Sequence, residues 1–183
     1  MNEVSALTPA QVIAKRRRRL ADRADITQAA LHLATLLLLL WVAFGVVFGL
    51  LPMPNRDMAP RLGAGDLLLY YRLDPTWNNN DVMVLEKDGV TYVGRIVARG
   101  GDTVEITEQA SLVVNGSTVL ESNIFYSTPR YDNDMVYPIT LAQDEFFVLV
   151  DAREGGKDSR WYGPVAAHEV RGKVIAALRR HDL

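Results

Sequence analysis

The sequence predicts a mostly β protein, with one N-terminal transmembrane helix followed by a compact antiparallel β domain. Residues 29–51 form an apolar run whose only clearly polar members are His32 and Thr35. After Pro52 the apolar residues come in short runs separated by glycine turns, with little helical periodicity, as expected for many short strands. The predicted divisions are a cytoplasmic basic segment (1–28), a transmembrane helix (29–51) and an extracytoplasmic β domain (52–183).

The apolar run has the length of a membrane span. Its 23 residues would cover about 34 Å as a helix, and a bilayer core is about 30 Å thick. A buried core helix is the first alternative, but a run that is apolar on all faces is unexpected in so small a domain. A cleaved signal peptide is the second, but no small-x-small cleavage site follows the run.

Basic residues before the run predict its orientation. Six of them precede it: Lys15, Arg16, Arg17, Arg18, Arg19 and Arg23. Positive charge beside a span favours the cytoplasmic side, so the β domain is expected outside the membrane. That domain carries 14 Lys or Arg against 19 Asp or Glu, and an acidic domain argues against nucleic acid as a partner. The chain has no cysteine, which excludes disulfides and thiol chemistry.

Turn residues divide the β domain. Asp88-Gly89 and Asn115-Gly116 predict tight hairpins, and Gly100-Gly101 predicts a further turn. Residues 122–138 show no clear period and predict a long loop, which in a small domain is often functional. Strands are predicted over 67–73, 81–85, 90–99, 103–106, 112–114, 118–120, 146–150 and 170–178.

Four segments occur in an order that matches the sequence boxes of a known family. They are residues 55–62 (NRDMAPRL), Gly65-Asp66, residues 92–102 (YVGRIVARGGD) and residues 150–165 (VDAREGGKDSRWYGPV). Together with the Asn115-Gly116 hairpin, they resemble the sequence boxes of type I signal peptidases, which are membrane-anchored Ser/Lys peptidases. The resemblance covers about residues 29–178. It implies the signal-peptidase β fold, no cofactor and no metal, and no metal-binding motif is present.

The chain departs from the family at the catalytic positions. Asp57 stands where the resemblance places the nucleophilic serine, and Gly94 where it places the lysine base. Gly156 stands at the position of a supporting serine, and Asn55 at that of an oxyanion-stabilising serine. A carboxylate is a poor nucleophile toward an amide, and glycine accepts no proton. No catalytic residue is therefore predicted. A displaced base at Lys157 is the remaining route to activity.

Other matched positions imply binding or structural roles. The candidate peptide-binding pocket comprises Asn55, Asp57, Met58, Pro60, Gly94 and Gly156. For Met58 a plain core role is equally plausible. The matched charged residues, expected to form structural ion pairs, are Arg95, Asp151, Arg153, Asp158 and Arg160. Within this set we expect Arg95 and Arg160 to pair with Asp158.

Three functional hypotheses follow. The first is a non-catalytic membrane protein that binds exported segments. The Asp57 and Gly94 pair resembles the signal-peptidase-like accessory proteins or chaperones of pilus assembly in Gram-positive bacteria, which implies pilin and sortase as partners. The second is a divergent active signal peptidase that uses Asp57 or Lys157. The third is a structural membrane partner that packs through Gly45 and Gly49, a GxxxG spacing.

Overall fold

The computed structural model describes residues 9–73, 76–121, 124, 126–133 and 135–179, without the side chains of residues 12 and 14–22. The chain forms two compact units, Met1–Gly45 and Val46–Leu183. The first contains helix α1 (Pro9–Val42), whose stretch from Arg23 into the following π-helical turn is long and apolar enough to cross a membrane. The predicted antiparallel β fold with one N-terminal apolar helix is confirmed.

The apolar helix ends earlier than predicted. A π-helical turn (Ala43–Val47) follows α1, and strand β1 (Phe48–Pro52) begins inside the predicted span of 29–51. The last residues of the apolar run pair with β2 instead, where Leu51 lies opposite Leu68. A continuous apolar run looks the same whether it becomes a membrane helix or a half-buried strand, so the sequence pattern did not separate the two.

Gly49 has a packing role in β1. A β-carbon at this position would lie 2.0 Å from Cζ of Tyr70, so the aromatic ring requires glycine there. Gly45 lies in the π-helical turn and Gly49 in a strand, so the two do not form a GxxxG face on one helix. The hypothesis that the protein packs against a partner helix through this pair loses its structural basis.

Two antiparallel sheets make up the second unit, called here the β domain. The larger has the strand order β1-β2-β11-β3-β4-β9-β10, and the smaller has the order β7-β6-β5-β8. The further strands are β2 (Leu67–Tyr71), β3 (Val82–Lys87), β4 (Val90–Arg99), β5 (Thr103–Ile106), β6 (Leu112–Val114), β7 (Ser117–Thr118), β8 (Ile139–Thr140), β9 (Glu145–Leu149), β10 (Val165–Ala166) and β11 (Val170–Leu178). A short helix, α2 (Ser159–Tyr162), and a 3₁₀ turn (Ala167–Glu169) follow β9.

The two predicted hairpins are present. Asp88-Gly89 joins β3 to β4 and Asn115-Gly116 joins β6 to β7, and all four residues have positive φ. Such φ values match the twist of paired strands, which is why these dipeptides favour two-residue turns. The described residues between β7 and β8 belong to no helix or strand, in agreement with the predicted long loop; residues 122, 123, 125 and 134 of that loop lie outside the description.

Three apolar clusters hold the β domain together. One packs the smaller sheet against Phe147 and Leu149 of β9. A second surrounds Met58 and Val93, and a third surrounds Ile96 and Val148. Strand β4 contributes to all three clusters and β9 to two, and the second cluster packs Met58 and Val150 of the candidate-site segments against β4.

Candidate functional site

Asp57 lies in the loop that follows β1, and its side chain is half-buried. One carboxylate oxygen accepts a hydrogen bond from Asn55 Nδ2 at 2.8 Å, and the main-chain N–H of Lys157 donates a second bond to the carboxylate. The carbonyl oxygen of Asp57 accepts from the N–H of Ala152 at 2.8 Å. These contacts fix Asp57 against the loop after β9, so the structure brings the first and fourth sequence boxes together.

The environment of Asp57 disfavours its charged form. Burial raises the pKa of the carboxyl above its usual value, and the negative charge of Asp158 acts in the same direction. The hydrogen bonds from Asn55 and Lys157 oppose the shift without cancelling it. The carboxylate of Asp158, which also raises this pKa, is itself bound to Arg160. Among the described residues, Asp57 therefore does not form a pair of carboxyl groups that share one proton, as aspartic proteases use.

Gly156 packs directly on Asp57. A β-carbon there would lie 3.3 Å from Cγ of Asp57 and 2.6 Å from Cγ2 of Val150. The hydroxyl of Tyr131 donates a hydrogen bond to the Gly156 carbonyl oxygen. The position that the resemblance assigns to a supporting serine thus has no room for a side chain beside the present Asp57.

The space at Gly94 is also filled. Gly94 is buried in β4, and a β-carbon there would lie 2.5 Å from Cγ1 of Val148 and 3.3 Å from the carbonyl oxygen of Leu149. Val148 has no exposed surface, so its side chain cannot turn away freely. A lysine at this position would need the volume that Val148 occupies.

We expect Gly94→Ala to lower the free energy of unfolding by about 1–3 kcal/mol, the usual effect of overpacking. The direction of this change is informative because alanine in a strand is otherwise more stable than glycine. Adding Val148→Ala should recover part of the loss. Gly63→Ala is the control, because its β-carbon would make only an ordinary contact, at 3.7 Å from Asp66. Urea unfolding curves on which the Gly94 and Gly63 variants were equally stable would contradict the crowding.

The five matched charged residues all lie in buried ion pairs. Arg160 and Asp158 are both fully buried and 2.7 Å apart. Arg95 donates to both carboxylate oxygens of Asp151, at 2.8 and 2.6 Å. The expected pairing of Arg95 with Asp158 is therefore wrong. The register of β4 on β9 places Arg95 opposite Leu149, close to Asp151, whereas Asp158 caps helix α2.

Arg153 connects the long loop to the site. Its guanidinium is fully buried and donates to Thr128 Oγ1, to the Val150 carbonyl oxygen and to both carboxylate oxygens of Glu121, each at 2.7 Å. Both ends of the segment 121–128 are thus attached to one side chain. No sequence pattern pointed to Glu121, because it lies in a stretch without hydrophobic period.

Met58 and Pro60 have different surroundings. Met58 has no exposed surface and packs in the second apolar cluster, so it cannot contact a peptide in this structure and has a core role. Pro60 lies at a cavity of about 240 Å³. The cavity is lined by Ala59, Pro60, Tyr126, Ala152 and Glu154.

Lys157 is not placed as a base. Its ammonium lies 5.3 Å from the ring centroid of Trp161, and its side chain is exposed. Ser159 is buried, and its Oγ accepts the N–H of Val148. Ser111, just before β6, donates its main-chain N–H to Oγ1 of Thr107, and Ser122 lies outside the described residues. Among the described residues, no group of three His, Asp or Glu side chains is arranged to hold a metal ion.

Comparison with known proteins identifies the family of the chain. Residues 26–178 match the family model described as signal peptidase, peptidase S26. The chain therefore belongs to the signal peptidase family S26, and the resemblance inferred from the four boxes is confirmed.

The relatives include proteins described as signal peptidases and proteins described as inactive signal peptidases. The chain is 28% identical to a "Probable signal peptidase I-2" of Synechocystis over 67% of this chain and 59% of that protein's length. It is 25% identical to an "Inactive signal peptidase IA" of Staphylococcus aureus, over 76% of this chain and 83% of that protein. A crystal structure of a signal peptidase I from Enterococcus faecalis aligns with a TM-score of 0.44 and 21% identity, over 55% of this chain and 97% of that chain.

Proposed function

We propose that this protein is a signal-peptidase-like membrane protein that binds segments of exported proteins without cleaving them. The observation that carries the proposal is the filled catalytic centre. Asp57 and Gly94 occupy the positions that the resemblance assigns to serine and lysine, and Val148 fills the space that a lysine would need. A relative described as inactive supports this view.

The chemistry of Asp57 is consistent with a binding role. Attack of its carboxylate on an amide would give an anhydride-like intermediate that reverts more easily than it expels an amine. Lys157 donates its main-chain N–H to Asp57, but its ammonium lies over the ring of Trp161 and is not placed as a base. In another serine protease, loss of the nucleophile or its partner costs about 10⁶ in rate. A groove that binds peptide can persist after such a loss, because binding and bond cleavage use different groups.

The proposed location is the cell membrane. Helix α1 would span it from the cytoplasmic side, since the basic residues precede the apolar run, and the β domain would lie outside. An exported segment would then meet the β domain as it leaves the membrane, and could bind by strand addition at a sheet edge. The candidate client is a pilin, with sortase as a further partner and a Gram-positive bacterium as host. This part of the proposal derives from the subgroup that the Asp57 and Gly94 pair resembles.

The test is a cleavage and binding assay of the full-length protein in detergent, with an exported preprotein and a pilin as ligands. We expect binding without detectable cleavage. The cleavage rate should be below about 10⁻⁶ of that of an active signal peptidase. Asp57→Ala should leave the absence of cleavage unchanged, as should Asp144→Ala, which alters an exposed carboxylate. Cleavage by the native protein that Asp57→Ala abolishes would establish the alternative, a divergent active peptidase.

A restored-centre variant sharpens this test. Asp57→Ser/Gly94→Lys introduces the missing pair, and Val148→Ala provides the space that Gly94→Lys requires. Cleavage gained by the triple variant would show that the scaffold still presents a substrate to the centre, which supports an inherited binding groove. Absence of pilin binding by the native protein would remove the pilus part and leave the loss of catalysis standing.

A further inference from the structure

The cavity beside Pro60 is adjacent to the candidate site. Ala152, one of its walls, donates its N–H to the carbonyl oxygen of Asp57, and Ala59 follows two residues after Asp57. Its volume of about 240 Å³ is below the range of about 300–1,000 Å³ that suits a drug-sized ligand. The cavity is therefore suited to a single side chain of a segment that lies across the site.

The walls of this cavity combine apolar surface with one carboxylate. Ala59, Pro60 and Ala152 present aliphatic atoms, and Tyr126 adds an aromatic ring that is about half exposed, at 51%. Glu154 lies at the same cavity, in an exposed turn. A long aliphatic stem that ends in a positive charge matches such a surface, because the stem can pack while its head stays solvated.

The carboxylate of Glu154 is available to a ligand. Its neighbour Arg153 points into the protein and directs its donors to Glu121, Thr128 and the Val150 carbonyl oxygen. The ammonium of Lys157 lies over the ring of Trp161. Among the residues that the structure describes, no cation forms an ion pair with Glu154.

We propose that this cavity binds a lysine side chain of the exported segment, an inference that rests on the proposed binding function. The methylene stem packs on Ala59, Pro60 and Ala152, and the ammonium lies between Glu154 and the face of Tyr126. An ammonium over an aromatic face is attracted by the ring quadrupole. The acidic excess of the β domain, 14 basic against 19 acidic residues from Pro52 onward, also favours the approach of basic segments.

The test uses short fluorescent peptides in matched pairs, otherwise uncharged, in which one position is either lysine or its uncharged analogue norleucine. Fluorescence anisotropy with the full-length protein in detergent should show lysine peptides binding about 3- to 10-fold more tightly. Glu154→Gln should remove that preference, and Glu154→Lys should reverse it. Glu108→Gln, a change at an exposed acid in the turn between β5 and β6, should retain it. High salt should weaken the preference of the native protein.

The outcomes separate this inference from the proposed function. If lysine and norleucine peptides bind equally well to the native protein, or if the preference survives in Glu154→Gln, the lysine site is wrong and the binding function stands. If the native protein binds neither peptide of any pair, both proposals are overturned. Because Glu154 is exposed and has no described ion-pair partner, its substitution should leave the fold intact, which a matching urea unfolding curve would verify.

Discussion

Replacing Asp158 by alanine should lower the free energy of unfolding by about 3–5 kcal/mol, the usual cost of breaking a buried ion pair. The carboxylate and its partner Arg160 are both fully buried. Asp158 also accepts the N–H of Val150 and caps helix α2 through the N–H of Arg160. Removing it leaves a buried guanidinium without its counter-ion and two main-chain donors without their acceptor. Urea unfolding of the full-length protein in detergent, followed by tryptophan fluorescence, measures the loss.

Two control variants separate the ion pair from general sensitivity. Asp144→Ala removes an exposed carboxylate and should change the free energy of unfolding by less than about 0.5 kcal/mol. The double variant Asp158→Ala/Arg160→Met removes both charges, so it should be less destabilised than the two single losses added together. A loss for Asp158→Ala below about 1 kcal/mol, the value for a surface pair, would contradict the buried arrangement.

The sequence predicted the parts of the fold that depend on local chemistry. Asp88-Gly89 and Asn115-Gly116 are hairpin turns because both central residues must take positive φ, which these residue types accept. It did not predict that residues 48–51 form a strand, because pairing with β2 is a long-range event. The pattern of an apolar run does not distinguish a segment covered by lipid from one covered by a neighbouring strand.

The same limit applied to the site. Sequence boxes placed Asp57, Gly156 and Asp158 in one region, and the structure has them in contact or close to it. The predicted pairing of Arg95 with Asp158 was wrong because the partner of Arg95 depends on the register of β4 against β9. Val148 and Glu154 were not predicted as site residues, since a valine in a strand and an acid in a turn are ordinary residues. Their importance comes from what lies beside them: Gly94 in one case and an apolar cavity in the other.

Arg153→Met should produce a second large loss of stability, again about 3–5 kcal/mol, because it leaves the partly buried Glu121 carboxylate without its counter-ion. Methionine keeps the apolar stem volume, so the effect reports the guanidinium rather than a cavity. Arg171→Met is the matched control. Its pair with Glu86 is exposed on both sides, at 51% and 39% of the side-chain surfaces. Such surface pairs contribute about 0–1 kcal/mol.

The position of Arg153 predicts a functional effect beyond stability. Arg153 holds Glu121 and Thr128, which flank Tyr126, and Tyr126 forms a wall of the cavity beside Pro60. Without the guanidinium, the segment 121–128 should open more readily, since local opening follows the loss of buried contacts. Limited proteolysis should then cut this segment faster in Arg153→Met than in Arg171→Met.

The preference for lysine peptides should fall in the Arg153→Met variant although Glu154 is intact, because one wall of the cavity is no longer fixed. Equal proteolysis of the two variants, with the lysine preference unchanged, would mean that Tyr126 is held by other contacts and that Arg153 stabilises the fold without shaping the site.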